Sequence, residues 1–415
     1  MLWERPQCVR VRREDTGREC YSNRDALLDD YTPKELVGRD AELQQYHSAL
    51  QPAIYGEQPN NIFLYGKAGV GKTAATRFLL NKLQGDAEQY DDLQVNSQLV
   101  NCDGTDSSYQ VAVELVNRLR DIEDQISESG YSRSQVYRLM WNEFDDLQGI
   151  VLIVLDEVDH LEDDSILYQL SRARENQHLE KSRVAVIGIS NDLSYRKRLS
   201  PKVRSSLCER SISFSTYNAQ ELQQVLSQRR DVAFKEDTVD DAVVGLCSAY
   251  GARESGDARK ALDLLLKAGD VARDENAEEV LERHVHEGRK LLEREEVAQG
   301  IANLNEQERL MVYAVATYAA EGSTPVRSTD LYERYESLAR SSGRDPLSSR
   351  WMREHLDELA MLGIISVEKR NEGAMGGMYR VHELEQDLKV VVDALKETID
   401  NAGLHASVRQ VAESD

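Results

Sequence analysis

The chain has 415 residues, 40% of them hydrophobic: too long for one ordinary domain and apolar enough for two or three compact units with sizeable cores. It has no run of about 18 apolar residues, and the arginine-rich stretch from Met1 to Arg13 has no apolar centre, so no membrane contact, span or signal peptide is expected and the protein is expected in the cytoplasm. Seventy-four acidic residues against 51 basic ones leave a formal charge of −23, which at first sight argues against a nucleic-acid partner. The acid is spread over nearly every segment, however, as in a solvating surface, and net charge is then a weak guide to partners. The five cysteines stand singly, without a CxxC pair or clustered histidines, and read as reduced packing residues.

Residues 1–24 show no periodicity and are expected to form a flexible extension. From Tyr31 to Asp40 a turn leads into a helix with apolar positions at Leu43, Tyr46 and Leu50. Next, the apolar run Ile62-Phe63-Leu64-Tyr65 opens into Gly66-Lys67-Ala68-Gly69-Val70-Gly71-Lys72-Thr73, which fits GxxxxGK[ST]. A strand, a glycine-rich loop and a helix starting near Lys72 are predicted. Glycines let successive N–H groups curl around phosphate, and the helix N-terminus adds partial positive charge there. Lys72 would reach the β- and γ-phosphates of ATP or ADP, and the Thr73 hydroxyl would hold Mg2+. In many ATPases with this loop, the segment just upstream walls the adenine pocket, which makes Val37 a candidate.

A helix continues from Ala74 to Leu83, and a second strand is predicted over Leu93–Cys102. Helices fit Tyr109–Ile122 and Ser134–Leu147, with residues 121–133 between them reading as an insertion. The continuous apolar run Gly149–Leu155 reads as a central parallel strand and ends in Asp156-Glu157. Carboxylates at such a tip lie beside the phosphate loop, Asp156 suited to Mg2+ through water and Glu157 to polarising the attacking water. The buried strand Arg183–Ser190 ends at Asn191, whose amide can bond the γ-phosphate or simply form a turn. A last strand over Arg210–Phe214 completes the sheet.

Residues 217–297 read as entirely helical. Within them Asp257 is expected to cap a helix and place Arg259 in its first turn, pointing from a lid toward phosphate or lying solvated. From Leu304, helices over Glu306–Ala320, Ser328–Ser341 and Ser348–Leu362 precede a hairpin turning at Gly373, Gly376 and Gly377. Three helices closed by a hairpin describe a winged helix. Arg350 and Arg353 on its last helix would enter the major groove, with Lys369, Arg370 and Arg380 on the wing against phosphates or the minor groove; protein docking is the alternative use. This unit carries slightly more acid than base, so phosphate contacts are expected to contribute little in concentrated salt, and base edges and DNA shape more.

Taken in order, Gly66–Thr73, Asp156-Glu157, Asn191, Pro201–Ser206 and Gly256-Asp257-Ala258-Arg259 resemble the Walker A, Walker B, sensor 1, arginine-finger and sensor 2 elements of AAA+ ATPases. With the winged helix, the chain resembles archaeal Orc1/Cdc6-type origin-recognition initiators, and its acid-rich, arginine-favouring composition resembles proteins of salt-loving microbes. The resemblance implies an α/β AAA+ P-loop core (parallel sheet with flanking helices) over 25–215, an all-α lid over 216–300, a C-terminal winged-helix domain over 301–398 and a disordered tail over 399–415. It implies a slow, switch-like ATPase that uses Mg2+, binds double-stranded origin DNA at the nucleoid, helps load the replicative MCM helicase and works with other initiator paralogues. Tyr217 and Arg229 would join Arg259 at the nucleotide, Arg204 would be the trans-acting finger with Arg198 or Arg210 as alternatives, and the 121–133 insertion would press on DNA through Arg118, Arg120 and Arg133. Two other functions fit: a paralogue serving plasmid maintenance or transcriptional regulation, and a signalling NTPase with a protein-docking winged helix.

Overall fold

A computed structural model describes residues 20–412 except 91, 92, 106, 208, 372–377 and 404. Cys8, Cys208 and the wing glycines Gly373, Gly376 and Gly377 therefore lie outside the described residues. The chain divides into two units, residues 1–286 and 287–415.

The first unit opens with α1 (Asp40–Ile54), β1 (Ile62–Tyr65), α2 (Lys72–Ala87), β2 (Val95–Asn101), α3 (Ser108–Arg118), α4 (Arg133–Leu147) and β3 (Gly149–Asp156). It continues through α5 (Ser165–Ser171), β4 (Ser182–Ser190), α6 (Tyr195–Arg198), α7 (Pro201–Leu207) and β5 (Arg210–Ser213). The strands form one parallel sheet in the order β2-β3-β4-β1-β5. The apolar run of β3 is explained by burial on both faces. Val151, Ile153 and Leu155 pack with Val116, Met140 and Phe144, while Ile150, Leu152 and Val154 pack with Leu50, Leu79 and Leu83. After the sheet come α8 (Ala219–Ala233), α9 (Asp241–Glu254), α10 (Ala258–Asp274) and α11 (Glu282–Ala302), the last running past the division between units.

Two expectations for this unit need correction. The described part of the predicted extension, from Cys20 to Arg24, is ordered: Cys20 and Tyr21 are buried, and Tyr21 bridges to Phe234, stacks on its ring at 4.8 Å and donates its hydroxyl to Leu266 O at 2.7 Å. These partners lie more than 200 residues away, beyond any local pattern. The helix predicted over Tyr109–Ile122 stops at Arg118, because the Asn117 side chain clips the following loop back through Ile126 N (2.8 Å) and Ile126 O (2.9 Å). Residues 121–132 are then a loop with one short 3-10 turn at Ile122–Asp124, and Arg133 already belongs to α4.

The second unit contains α12 (Glu306–Ala320), β6 (Val326–Arg327), α13 (Ser328–Ser341), α14 (Ser349–Met361), β7 (Ile365–Asn371), β8 (Met378–Leu384), α15 (Leu388–Ala394), α16 (Lys396–Ala402) and α17 (Arg409–Ala412). β6, too short to show a pattern, completes an antiparallel sheet in the order β6-β8-β7. Its core gathers Met311, Tyr335, Leu356, Ile365 and Val391. Of the tail expected to be disordered over 399–415, the described residues up to 412 pack on this core instead. Ile399, Ala402 and Val408 are buried, and the Tyr313 hydroxyl donates to Gly403 O and accepts from His405 N.

Candidate nucleotide site and nucleic-acid interface

β1 lies between β4 and β5, so the loop leaving its buried tip opens at the carboxyl-end crevice where open parallel sheets hold ligands. Gly71 holds φ +88° just before α2, and a Cβ there would lie 2.9 Å from the Tyr217 hydroxyl. At Gly69 (φ +70°) a Cβ would fall 1.6 Å from Asp257 Oδ1. Ala258 N also donates to Gly69 O at 3.0 Å, so the start of α10 rests directly on the loop.

Lys72 is 5% exposed, and its ammonium donates to Gly66 O (2.8 Å), Lys67 O (2.7 Å) and Asn191 Oδ1 (2.8 Å). Burial lowers its pKa to about 8, partly opposed by the negative charges of Asp156, Asp159 and Glu157. The Thr73 hydroxyl donates to Asp156 Oδ2 at 2.8 Å, and Asp156 Oδ1 accepts from Glu157 N at 3.0 Å. Glu157 takes the left-handed conformation (φ 53°), which turns it away from the strand direction toward Asn191, whose Nδ2 lies 3.5 Å from Glu157 Oε1. Asp159, which motif reading passed over, accepts from Asn191 N at 3.2 Å. His160 Nδ1 faces Asp103 Oδ1 at 3.2 Å, and both could share a cation with Glu157. For magnesium the paired hydroxyl and carboxylate of Thr73 and Asp156 fit better, being hard oxygen donors that leave room for water.

The cleft encloses about 310 Å³ and is lined by Ala68, Gly69, Gly71, Lys72 and Thr73 together with Val37, Asp156, Glu157, Asn191, Tyr217, Arg229 and Arg259. Val70 instead is core, and its carbonyl accepts from Arg39 Nε at 3.1 Å. Sequence reading also missed Arg39. Only 1% exposed, it lies 3.6 Å from the Tyr217 ring centroid and donates to Ser215 O at 2.7 Å, joining the loop to the start of the lid. Arg229 borders the cleft, but its guanidinium donates to Ala26 O (3.1 Å) and Tyr31 O (3.2 Å) and stacks on Tyr31, bracing the cleft wall. Asp257 caps α10 through Arg259 N at 2.8 Å, and Arg259 Nε pairs with Asp29 Oδ2 at 2.7 Å.

Arg204 lies outside this cleft, exposed on α7 beside Arg196 and Lys197 in a shallow basic depression. Arg198 pairs with Asp192 at 3.0 Å. Arg210 aligns with Ile62, the end of β1 remote from the loop.

At the other proposed interface, Arg118 pairs with Glu114 (2.7 Å) and Arg120 with Glu143 (2.6 Å), while Arg133 is exposed at the start of α4. In the second unit Arg350, Arg353, Lys369 and Arg380 border one groove of about 1030 Å³, together with Arg327 and Tyr379, which sequence reading missed. Arg327 lies over the Tyr379 ring at 4.3 Å, a pairing that appears only once β6 joins β8. Most of these cations already have partners. Arg350 pairs with Glu354 (3.4 Å), Arg370 with Glu368 (2.7 Å) and Arg380 with both oxygens of Asp357 (2.7 and 3.0 Å), while Arg353 donates to Ser349 O at 3.0 Å.

Comparison with known proteins covers most of the chain. Family models match an AAA domain over residues 56–194, a Cdc6 AAA+ ATPase-type lid domain over 223–290 and the CDC6 C-terminal winged helix domain over 299–394. ORC1-type DNA replication protein 11 of Haloarcula marismortui is 53% identical over 96% of this chain and 96% of its own length. A counterpart from Pyrococcus furiosus is 37% identical over 87% and 86%. Among solved structures, the Aeropyrum pernix ORC1 protein in complex with DNA has a TM-score of 0.75 at 34% identity, covering 91% of this chain and 97% of that one. The chain belongs to the Orc1/Cdc6 family of ORC1-type DNA replication proteins, with an AAA+ α/β core, a Cdc6-type lid and a winged helix.

Proposed function

We propose that the protein is an ATP-dependent replication initiator that binds double-stranded origin DNA and helps load the MCM helicase. The observation that carries the nucleotide half is the convergence of Lys72, Thr73, Asp156, Glu157 and Asn191 in one cleft under the first turn of α10. Lys72 and the loop N–H groups would bind the phosphates of ATP or ADP, and Thr73 and Asp156 would hold Mg2+, which when bound would supply charge neutralisation at the phosphates. Glu157 polarises the water, Asn191 keeps Lys72 and Glu157 in register, and Arg259 contacts phosphate from the lid. Tyr217 and Arg229 act indirectly, holding the loop and the adenine-side wall near Val37. Arg204, exposed and outside its own cleft, would serve a neighbouring subunit as the trans-acting finger.

For the DNA half, the support is the family's DNA-bound relative and the groove between α14 and the wing. Arg350 and Arg353 read bases, Lys369, Arg370 and Arg380 approach the backbone, and the 121–133 loop with Arg118, Arg120 and Arg133 adds a second contact. The slow, switch-like turnover follows from needing both lid and finger arginines in place before water is activated.

Footprinting on candidate origins tests the DNA reading: protection of repeated or inverted elements that weakens on removal of either unit's arginines is expected, and absence of sequence-selective protection overturns it. For the enzyme, Glu157→Gln should retain ATP and lose hydrolysis by roughly 10²-fold or more; hydrolysis at the parent rate removes Glu157 from its role. MCM recruitment is tested by pull-down on origin DNA with ATP and with ADP.

A further inference from the structure

Arg259 does not stand alone in the cleft. Segment 20–31 is fastened to the lid at three points: Tyr21 on Phe234 and Leu266, Arg24 on Asp270 at 2.8 Å, and Arg229 on the carbonyls of Ala26 and Tyr31. These anchors deliver Asp29 to the first turn of α10, where its Oδ2 accepts from Arg259 Nε at 2.7 Å. A guanidinium is planar, so a bond at Nε sets the plane in which the two terminal nitrogens lie. The same turn is pinned to the phosphate loop through Asp257 against Gly69 and Ala258 N on Gly69 O. We propose that Asp29 is a positioning residue: it orients Arg259 toward the phosphate site and thereby sets the preference for ATP over ADP. This rests on the reading of Arg259 as the lid's phosphate contact.

Two further facts support it. The positive charge of Arg259 is among the influences that lower the Lys72 pKa, so it lies within electrostatic reach of the phosphate-binding ammonium. Asp263, one turn further along α10, is pushed up to about 6 by burial and by the negative charge of Asp29, with the positive charge of Arg259 opposing, so Asp29 and Arg259 both act on the same stretch of α10.

The sign of the effect separates positioning from plain charge. A carboxylate near a triphosphate repels it, so if Asp29 acted only through its charge, removing that charge would tighten ATP binding. Positioning predicts the opposite. Both side chains are about half exposed, 54% and 57%, so the pair is worth little by itself and the expected effect is roughly two- to fivefold. The test measures affinities of the full chain for ATPγS and ADP with Mg2+ in Asp29→Asn, Asp29→Glu, Arg259→Ala and the Asp29→Asn/Arg259→Ala double variant, each checked for an unchanged melting transition. Expected is a lower ATPγS-to-ADP preference in Asp29→Asn, partial rescue in Asp29→Glu, and no further loss when Asp29→Asn is added to Arg259→Ala. An unchanged or raised preference in Asp29→Asn, while Arg259→Ala lowers it, overturns the positioning role alone; so does an Asp29→Asn loss that persists undiminished in the Arg259→Ala background. If Arg259→Ala leaves the preference unchanged, the lid reading fails and this inference with it.

Discussion

Lys72 Nζ lies 2.8 Å from Asn191 Oδ1, and the same amide turns its nitrogen toward Glu157 Oε1 at 3.5 Å. One side chain thus ties the buried Lys72 ammonium to the Glu157 carboxylate, the two groups proposed to bind phosphate and polarise water, with Asp159 holding the backbone that carries it. Asn191→Ala should leave ATP affinity within a few-fold of the parent and lower turnover by roughly 10²-fold, the size seen when one preorganised polar group is removed. Single-turnover phosphate release beside equilibrium nucleotide binding separates the two; a parallel fall in affinity and turnover would show that Asn191 serves binding alone.

Lys72 gives the nucleotide site a pH signature. Burial holds its pKa at about 8 against an ordinary 10.5, so between these values the unfolded chain carries more protons and stability rises with pH; below 8 the cost of burying the charge is present in full. Phosphate in the site favours the charged ammonium, so ATP binding near pH 8.5 should take up a fractional proton and weaken as pH rises. Calorimetry at that pH in two buffers of different ionisation heat should give different apparent enthalpies. Equal values would refute the coupling.

Arg380 and Asp357 join the wing to α14 by two bonds, which leaves the arginine partly neutralised before any DNA arrives. Arg380→Ala should therefore reduce the salt dependence of DNA binding by less than the roughly one unit expected for a full phosphate contact. Asp357→Asn should steepen it and strengthen binding to unrelated sequences. Anisotropy titrations over a salt series check both, and a full-unit drop in Arg380→Ala would mean that the pair opens without cost.

His382 on β8 makes the second unit acid-sensitive. It is 1% exposed, lies 2.8 Å from Ser328 Oγ through Nε2, and has no partner for Nδ1 among the described residues. Burial, with Arg380 nearby, lowers its pKa from 6.5 to about 4. The unfolded chain then takes up the proton first, so stability is complete above about pH 6.5 and falls as pH drops toward 4. His382→Gln should flatten the dependence of the melting midpoint on pH across that window relative to the parent; identical slopes would count against the assignment.

Much of the nucleotide site was legible in local pattern. Gly66–Thr73 and Asp156-Glu157 could be read because a phosphate cradle needs glycine freedom, an ammonium and a hydroxyl at adjacent positions, and because a strand buried on both faces leaves a continuous apolar run. The helices of the winged unit were legible from their apolar spacing. Arg39, Asp159, Asp29 and Arg327 were not, since each acts through a partner far away in the chain: Val70 and Ser215, Asn191, Arg259, and Tyr379 respectively. The same reason explains the extension at Cys20–Arg24 and the tail beyond residue 399, where short, weakly patterned segments are ordered by surfaces formed elsewhere.

By itself, then, the sequence determined that a glycine-rich loop between a strand and a helix, a carboxylate tip and a winged unit exist, because backbone geometry and burial impose those patterns over a few neighbouring residues. Only the tertiary structure decided which charges face one another. It tied Lys72 to Asn191, turned Arg229 toward the wall and Arg259 to Asp29, and neutralised the wing arginines with neighbouring acids. Ion pairs and caps depend on distances between segments remote in the chain, which no spacing along it encodes.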